Sequence, residues 1–165
     1  MGIRERPFAR LRLTRGLVFN LLIGNDETHL KTFPFRVSNE GIEAAPPYDI
    51  LSPAVYPPTA YAEGRALWPE VKLMIPLPGA ATFGEVTRKA VLAAGAALGL
   101  SRRISERELG RMSAVMPEVL KVVRTDIEAE NANGPVAAKA SFAGELRLLR
   151  TIEHVVLPFM LGRVG

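Results

Sequence analysis

Two histidines and a few clustered carboxylates are the residues with which this chain could do chemistry. His29 follows Asp26 and Glu27 just beyond a turn-like run, Gly24-Asn25-Asp26-Glu27. An imidazole beside a carboxylate can act as an oriented general base or as a metal ligand, because the carboxylate fixes the ring tautomer. A base also needs a nucleophile and a pocket, and the sequence advertises neither, so His29 reads as a surface strand histidine. His154 follows Arg147 and Arg150 at helical spacing and makes a cationic stripe with them. A solvated helix face accounts for that stripe, with weak anion binding as the functional alternative.

Asp126, Glu128 and Glu130 crowd the end of an expected helix, where the macrodipole is negative and carboxylates are disfavoured. A calcium loop would place glycine at the sixth position from Asp126, and Asn131 stands there, so the EF-hand pattern fails. Early helix termination or an arginine partner is the preferred account, and the arginines near the N-terminus are the economical source of that partner. No G-x-S-x-G, no glycine-rich phosphate loop ending in Lys-Ser or Lys-Thr, and no H-E-x-x-H occurs. Cysteine is absent, which removes disulfides, zinc thiolates and thiol nucleophiles. On these grounds no catalytic residue, no metal and no cofactor is expected.

The charge is uneven. Of a net charge of +4 over 165 residues, the N-terminal stretch holds Arg4, Arg6, Arg10, Arg12 and Arg15 against Glu5 alone. Such a basic arm suits an anionic partner, either protein carboxylates or nucleic acid. The apolar runs 17–24 and 90–100 are too short to cross a bilayer, and no cleavage-site pattern follows the first. A cytoplasmic protein, or one within a virion assembled there, is expected.

The elements that must position these residues divide around a proline belt. Eight of the 13 prolines and all 3 tyrosines fall in or beside residues 45–81, where fixed φ angles and missing N–H groups preclude a long helix. Tyr48, Tyr56, Tyr61 and Trp68 are rigid amphipathic rings suited to pinning that belt onto its own subunit or a neighbour. Before the belt, alternation at 8–14 and apolar runs at 17–23 and 29–37 predict a small antiparallel sheet, with Pro34 marking an edge. After it, Thr82-x-x-Glu85 and Ser105-x-x-Glu108 read as capping boxes opening two helices, the second interrupted at Pro117. A third helix is expected over 136–157, closed by Pro158.

The whole predicts a single α+β domain over 1–165, with a β part at 1–44, a belt at 45–81 and a bundle of about three helices at 82–165. The corresponding functional expectation is a non-catalytic structural or assembly subunit, such as a phage head, neck, tail or baseplate component. Its partners would be copies of itself or other subunits, held through Arg4, Arg6, Arg10, Arg12 and the belt aromatics. The alternative is a nucleic-acid-binding accessory protein that uses the arginine arm.

Overall fold

A computed structural model describes residues 6–39, 41–46, 48, 50–55, 68–134 and 139–165. The N-terminal stretch is a helix, α1 (Arg6–Ile23), where strands were expected. Ala9, Thr14, Val18, Leu21 and Leu22 are buried, a spacing that follows the helical period and not alternation. The short Leu-Arg alternation at 10–13 fits either period, and tertiary burial decides between them. Gly16 stays inside α1, where the Phe33 ring takes the place of its side chain: a Cβ there would lie 2.9 Å from Phe33 Cε1.

Helix α1 ends in a Schellman motif. Gly24 adopts φ 71°, its N–H donates to Leu21 O at 3.2 Å, and Asn25 N–H donates to Asn20 O at 2.9 Å. A Cβ on Gly24 would stand 2.8 Å from Ala54 Cβ and 2.9 Å from Val156 Cγ1. Glycine is therefore required twice, by its backbone angle and by its neighbours.

A β-ribbon follows, β1 (Phe35–Ser38) antiparallel to β2 (Gly41–Ala44), with Phe35 opposite Ala44. Pro34 sits just before β1, where its missing N–H costs the ribbon nothing. The expected belt is not uniformly extended. It holds a 3₁₀ turn at Pro53–Val55, and its last third forms a hairpin, β3 (Lys72–Leu77) with β4 (Ala80–Thr82), turning at Pro78-Gly79 with Gly79 at φ 80°. Trp68 packs on Phe83 at 4.7 Å and on Phe159 at 5.6 Å between ring centroids, so its face is used inside its own chain. Tyr48 is exposed, with its hydroxyl donating to Lys31 O at 2.9 Å. Tyr56 and Tyr61 lie outside the described residues.

The helical half starts later than expected in one place and earlier in another. The Thr82–Glu85 capping box is present but opens only a 3₁₀ turn, Phe83–Glu85; helix α2 (Arg88–Ala97) begins at its own cap, Thr87. Helix α3 (Arg102–Asn133) is capped by Ser101, so Ser105 and Glu108 are buried inside the helix and not at its end. The helix runs through Pro117 without a restart. Gly95 leaves no room for a side chain against Ser105 Oγ, which lets α2 approach α3 closely.

Helix α4 (Lys139–Thr151) does not stop before Pro158 as expected. It widens into a π-helical turn, Ile152–Val156, in which Leu157 N–H reaches Ile152 O, and continues as α5 (Leu157–Val164). A proline lacks the N–H that an α ladder would use to reach the carbonyl four residues back, and the widened turn accommodates the gap. The core between these elements is built on Phe83, Val18, Leu22, Val86, Leu109, Val156, Leu157, Met160 and Val164, all fully buried. The architecture is α+β with helices dominant, and its two ribbons are separate small sheets.

Three arginines of α1 are clamps. Arg10 Nη1 donates to Gly99 O at 3.3 Å beyond the end of α2, Arg12 Nη1 donates to Ala44 O on β2, and Arg15 Nε donates to Glu108 Oε2 at 2.8 Å on α3. Glu108, its side chain only 4% exposed, also receives Arg111 at 3.3 Å and Arg107 at 3.5 Å. The hydrogen bond from Arg15 holds the Glu108 carboxyl below its ordinary value, against the upward push of burial and with help from the charges of Arg15 and Arg111. A depressed folded value means stability that is present above the ordinary carboxylate pKa of 4.5 and lost as pH falls through the folded value. Urea unfolding of Glu108→Gln should therefore show a shallower acid limb than the native chain below that point. At neutral pH the variant should be less stable by about 1–3 kcal/mol. Gly24→Ala should lower stability by about 1–3 kcal/mol through its strained φ alone, with more from the two close contacts, measurable by thermal melting.

Candidate functional site

Most of the buried polar residues among those described gather where α1 ends: Asn20, Asn25, Thr28, Thr32 and Ser52. Asn20, in an otherwise apolar run, is buried; its Nδ2 donates to Gly16 O at 2.8 Å and its Oδ1 accepts from Asn25 Nδ2 at 2.7 Å. Asn25 Oδ1 then accepts from the Glu27 backbone N–H at 3.1 Å, an Asx turn that sets Asp26 and Glu27 at its apex. Thr28 Oγ1 donates to Asn25 O at 3.3 Å, and Thr32 Oγ1 donates to His29 O at 2.7 Å. Each side chain satisfies a neighbour's backbone, so the turn over 25–32 is fixed by its own polar groups and not by strand pairing.

Two hydrogen bonds fasten the following segment to this turn. Tyr48 Oη donates to Lys31 O, and Ser52 Oγ donates to Ile23 O, on either side of the turn. Asp26 is half-buried with Oδ1 fully shielded from solvent, while Glu27 is exposed. His29 is half-buried, and its shielded Nδ1 has no hydrogen-bond partner among the described residues. Two carboxylates, an imidazole with a nitrogen to spare, and a set of hydroxyls and carbonyls thus share one rigid turn. Such a constellation can accept a proton from a hydroxyl and can present oxygen ligands to a cation. Among the described residues no group of three or more His, Cys, Asp or Glu is arranged to hold a metal unaided.

His29 is therefore part of a half-buried polar turn and not of a strand. The sequence signal for its surroundings was the run Asn25 to His29; Asn20, Thr32 and Ser52 carried none, because single polar residues in apolar or proline-rich context look like ordinary capping groups. The other candidate residues lie elsewhere. Arg10 and Arg12 are on α1, bonded as described, and only the backbone of Arg6 is described. Arg4 lies outside the described residues.

Arg147, Arg150 and His154 are exposed on α4 and the π turn; Arg150 pairs with Glu128 at 3.4 Å, and His154 Nε2 is 3.8 Å from Glu153. Glu128 is also met by Arg124 at 3.3 Å, and Arg124 reaches Glu153 at 3.0 Å. The arginine partner expected among these carboxylates is thus supplied, for Glu128, by α3 and α4 themselves. Asp126 and Glu130 are exposed on α3.

No helix among the described residues is long and apolar enough to cross a membrane. The fold is similar to that of HipA of Shewanella oneidensis MR-1, solved in a toxin–antitoxin complex with HipB and its operator DNA. The TM-score is 0.61 at 24% identity, over 92% of this chain and 32% of that one. A putative kinase, Y4mE of Sinorhizobium fredii (strain NBRC 101917 / NGR234), is 40% identical over 47 residues, which are 28% of this chain and 11% of that protein. The chain spans a minor part of either relative's length. The family model described as HipA-like C-terminal domain matches residues 3–120, from α1 through both ribbons and α2 into α3. That match overturns the expectation of a structural or assembly subunit of a virion. Of the basic N-terminal stretch, Arg6–Ile23 is helix and not strand. The chain belongs to the HipA-like C-terminal domain family.

Proposed function

We propose that this chain supplies the acceptor side of a phosphotransferase, with the turn over 25–32 as its proton-accepting element. The observation that carries the reading is the Asn20–Asn25 hydrogen-bond chain, which holds Asp26 and Glu27 at the apex of a half-buried turn beside His29. The partial likeness to a protein named as a putative kinase supports it. In phosphoryl transfer the protein does little covalent chemistry; it positions the nucleophile and neutralises charge.

In this reading a substrate hydroxyl attacks the terminal phosphorus of a nucleoside triphosphate, and the bond from that phosphorus to the bridging oxygen breaks. The hydroxyl proton passes to a carboxylate of the Asp26–Glu27 pair. His29 stands beside that pair in the same turn. The donor set is oxygen-rich and fits a magnesium ion, which takes one or two carboxylates and leaves the remaining positions to phosphate and water. Asp26 is the residue that would hold it, and the ion would supply charge neutralisation. The chain has no glycine-rich phosphate loop ending in Lys-Ser or Lys-Thr, so in this reading magnesium and not such a loop would hold the nucleotide's phosphates.

Incubation with radiolabelled ATP and magnesium, scored for label transferred to protein, tests this. Asp26→Asn or Glu27→Gln should reduce transfer by about 10²-fold or more with melting temperature retained, and the variant that does so identifies the base. His29→Ala should weaken transfer less. Absence of both label transfer and magnesium-ATP binding in the native chain would overturn the reading.

A further inference from the structure

Away from the polar turn, α1 forms one wall of a second feature. A half-open groove of about 510 Å³ runs between α1, the β1–β2 ribbon and α3, lined by Leu13, Phe19, Phe33, Pro34, Ile50 and Met112 together with small residues of the ribbon's end. Its floor is apolar and its mouth is cationic. Arg12 and Arg15 line it, each anchored by a single nitrogen, to Ala44 O and to Glu108, which leaves the rest of each guanidinium fork unbonded among the described residues. Arg107 and Arg111 share the same Glu108, so three guanidiniums stand against one buried carboxylate.

We propose that this groove is a docking site for an acidic amphipathic helix of a partner protein. Two observations choose that occupant. The apolar surface does not end with the cavity: Ile50 on its rim is 41% exposed, Phe35, paired with the groove residue Ala44, is 44% exposed, and Val115, one turn beyond Met112, is 46% exposed. A small ligand would fill the cavity and leave these side chains in water, whereas a helix can cover both. The cationic mouth selects carboxylates on the flanks of that helix, and arginines already fixed by internal bonds lose little entropy in pairing with them. Nucleic acid would satisfy the arginines but offers no apolar face for the floor.

Fluorescence anisotropy with a labelled synthetic helix of about four turns, leucine along one face and glutamate elsewhere, tests the proposal. Control helices carry lysine for glutamate, or alanine for leucine, and duplex DNA is the competing probe. The glutamate–leucine helix should bind at least about tenfold more tightly than either control. Ala45→Trp, which fills the groove, and Ile50→Asp, which puts a like charge on its rim, should each weaken it by about tenfold with far-ultraviolet circular dichroism unchanged. Should Ala45→Trp disturb folding, Ile50→Asp at its exposed position carries the test. Equal binding of the alanine-faced helix, or displacement by duplex DNA with neither substitution affecting the peptide, would show a plain basic patch and overturn the proposal.

Discussion

A buried helix must find partners for every polar group it carries, and that requirement on α1 organises the molecule. Thr14 and Asn20 turn their side chains back onto the carbonyls of Arg10 and Gly16, four residues earlier. The arginines cannot be satisfied that way, so their long apolar stems lie along the body and their heads reach α2, β2 and α3. A carboxylate as enclosed as that of Glu108 is tolerable only because arginine charges surround it; an unpaired charge there would cost several kcal/mol on the order of the penalties known for broken buried pairs. The same contacts that solve the polar problem of α1 therefore fix the places of the other elements.

The two functional proposals rest on different parts of this one helix. At its C-terminal end the Schellman motif reverses the chain sharply, and Asn25 enters the interior and templates the turn that carries Asp26, Glu27 and His29. Along its flank, Arg12 to Phe19 form the groove wall, where Gly16 is filled by Phe33 and not by its own side chain. A rigid scaffold with function on its turns is the common division of labour in globular domains. Membership of the HipA-like C-terminal domain family places α1, the ribbons, α2 and most of α3 within the shared unit, and α4 to α5 beyond the matched span.

That C-terminal portion has its own logic. Helices α3 and α4 are laced by Arg124, Glu128, Arg150 and Glu153, an ion-pair network that crosses between them where the carboxylates of α3 would otherwise oppose the helix dipole. The π turn before Pro158 lets α4 continue into α5, so that Val156, Leu157, Met160 and Val164 all reach the core. A break there would have left those side chains outside it.

The sequence by itself determined the local chemistry: that proline excludes a long helix from 45–55 and 68–78, that Gly24 to Glu27 turns, that Thr82 and Glu85 cap, and that the second half is helical. These follow from φ restriction, missing donors and short-range hydrogen bonds, which act within a few residues. His29 beside two carboxylates was also legible, though its environment was not. Tertiary structure alone decided that 6–23 is a helix, because a four-residue Leu-Arg alternation satisfies both periods and only burial against α3 and α5 separates them. It alone made Ser105 and Glu108 interior residues, since the same Ser-x-x-Glu spacing serves a cap at a helix start and an ion-pair hub within a helix. And it alone assembled the polar turn, because Asn20, Asn25 and Ser52 are far apart in character along the chain and become one site only when α1 is buried and its end must be closed by hydrogen bonds from within.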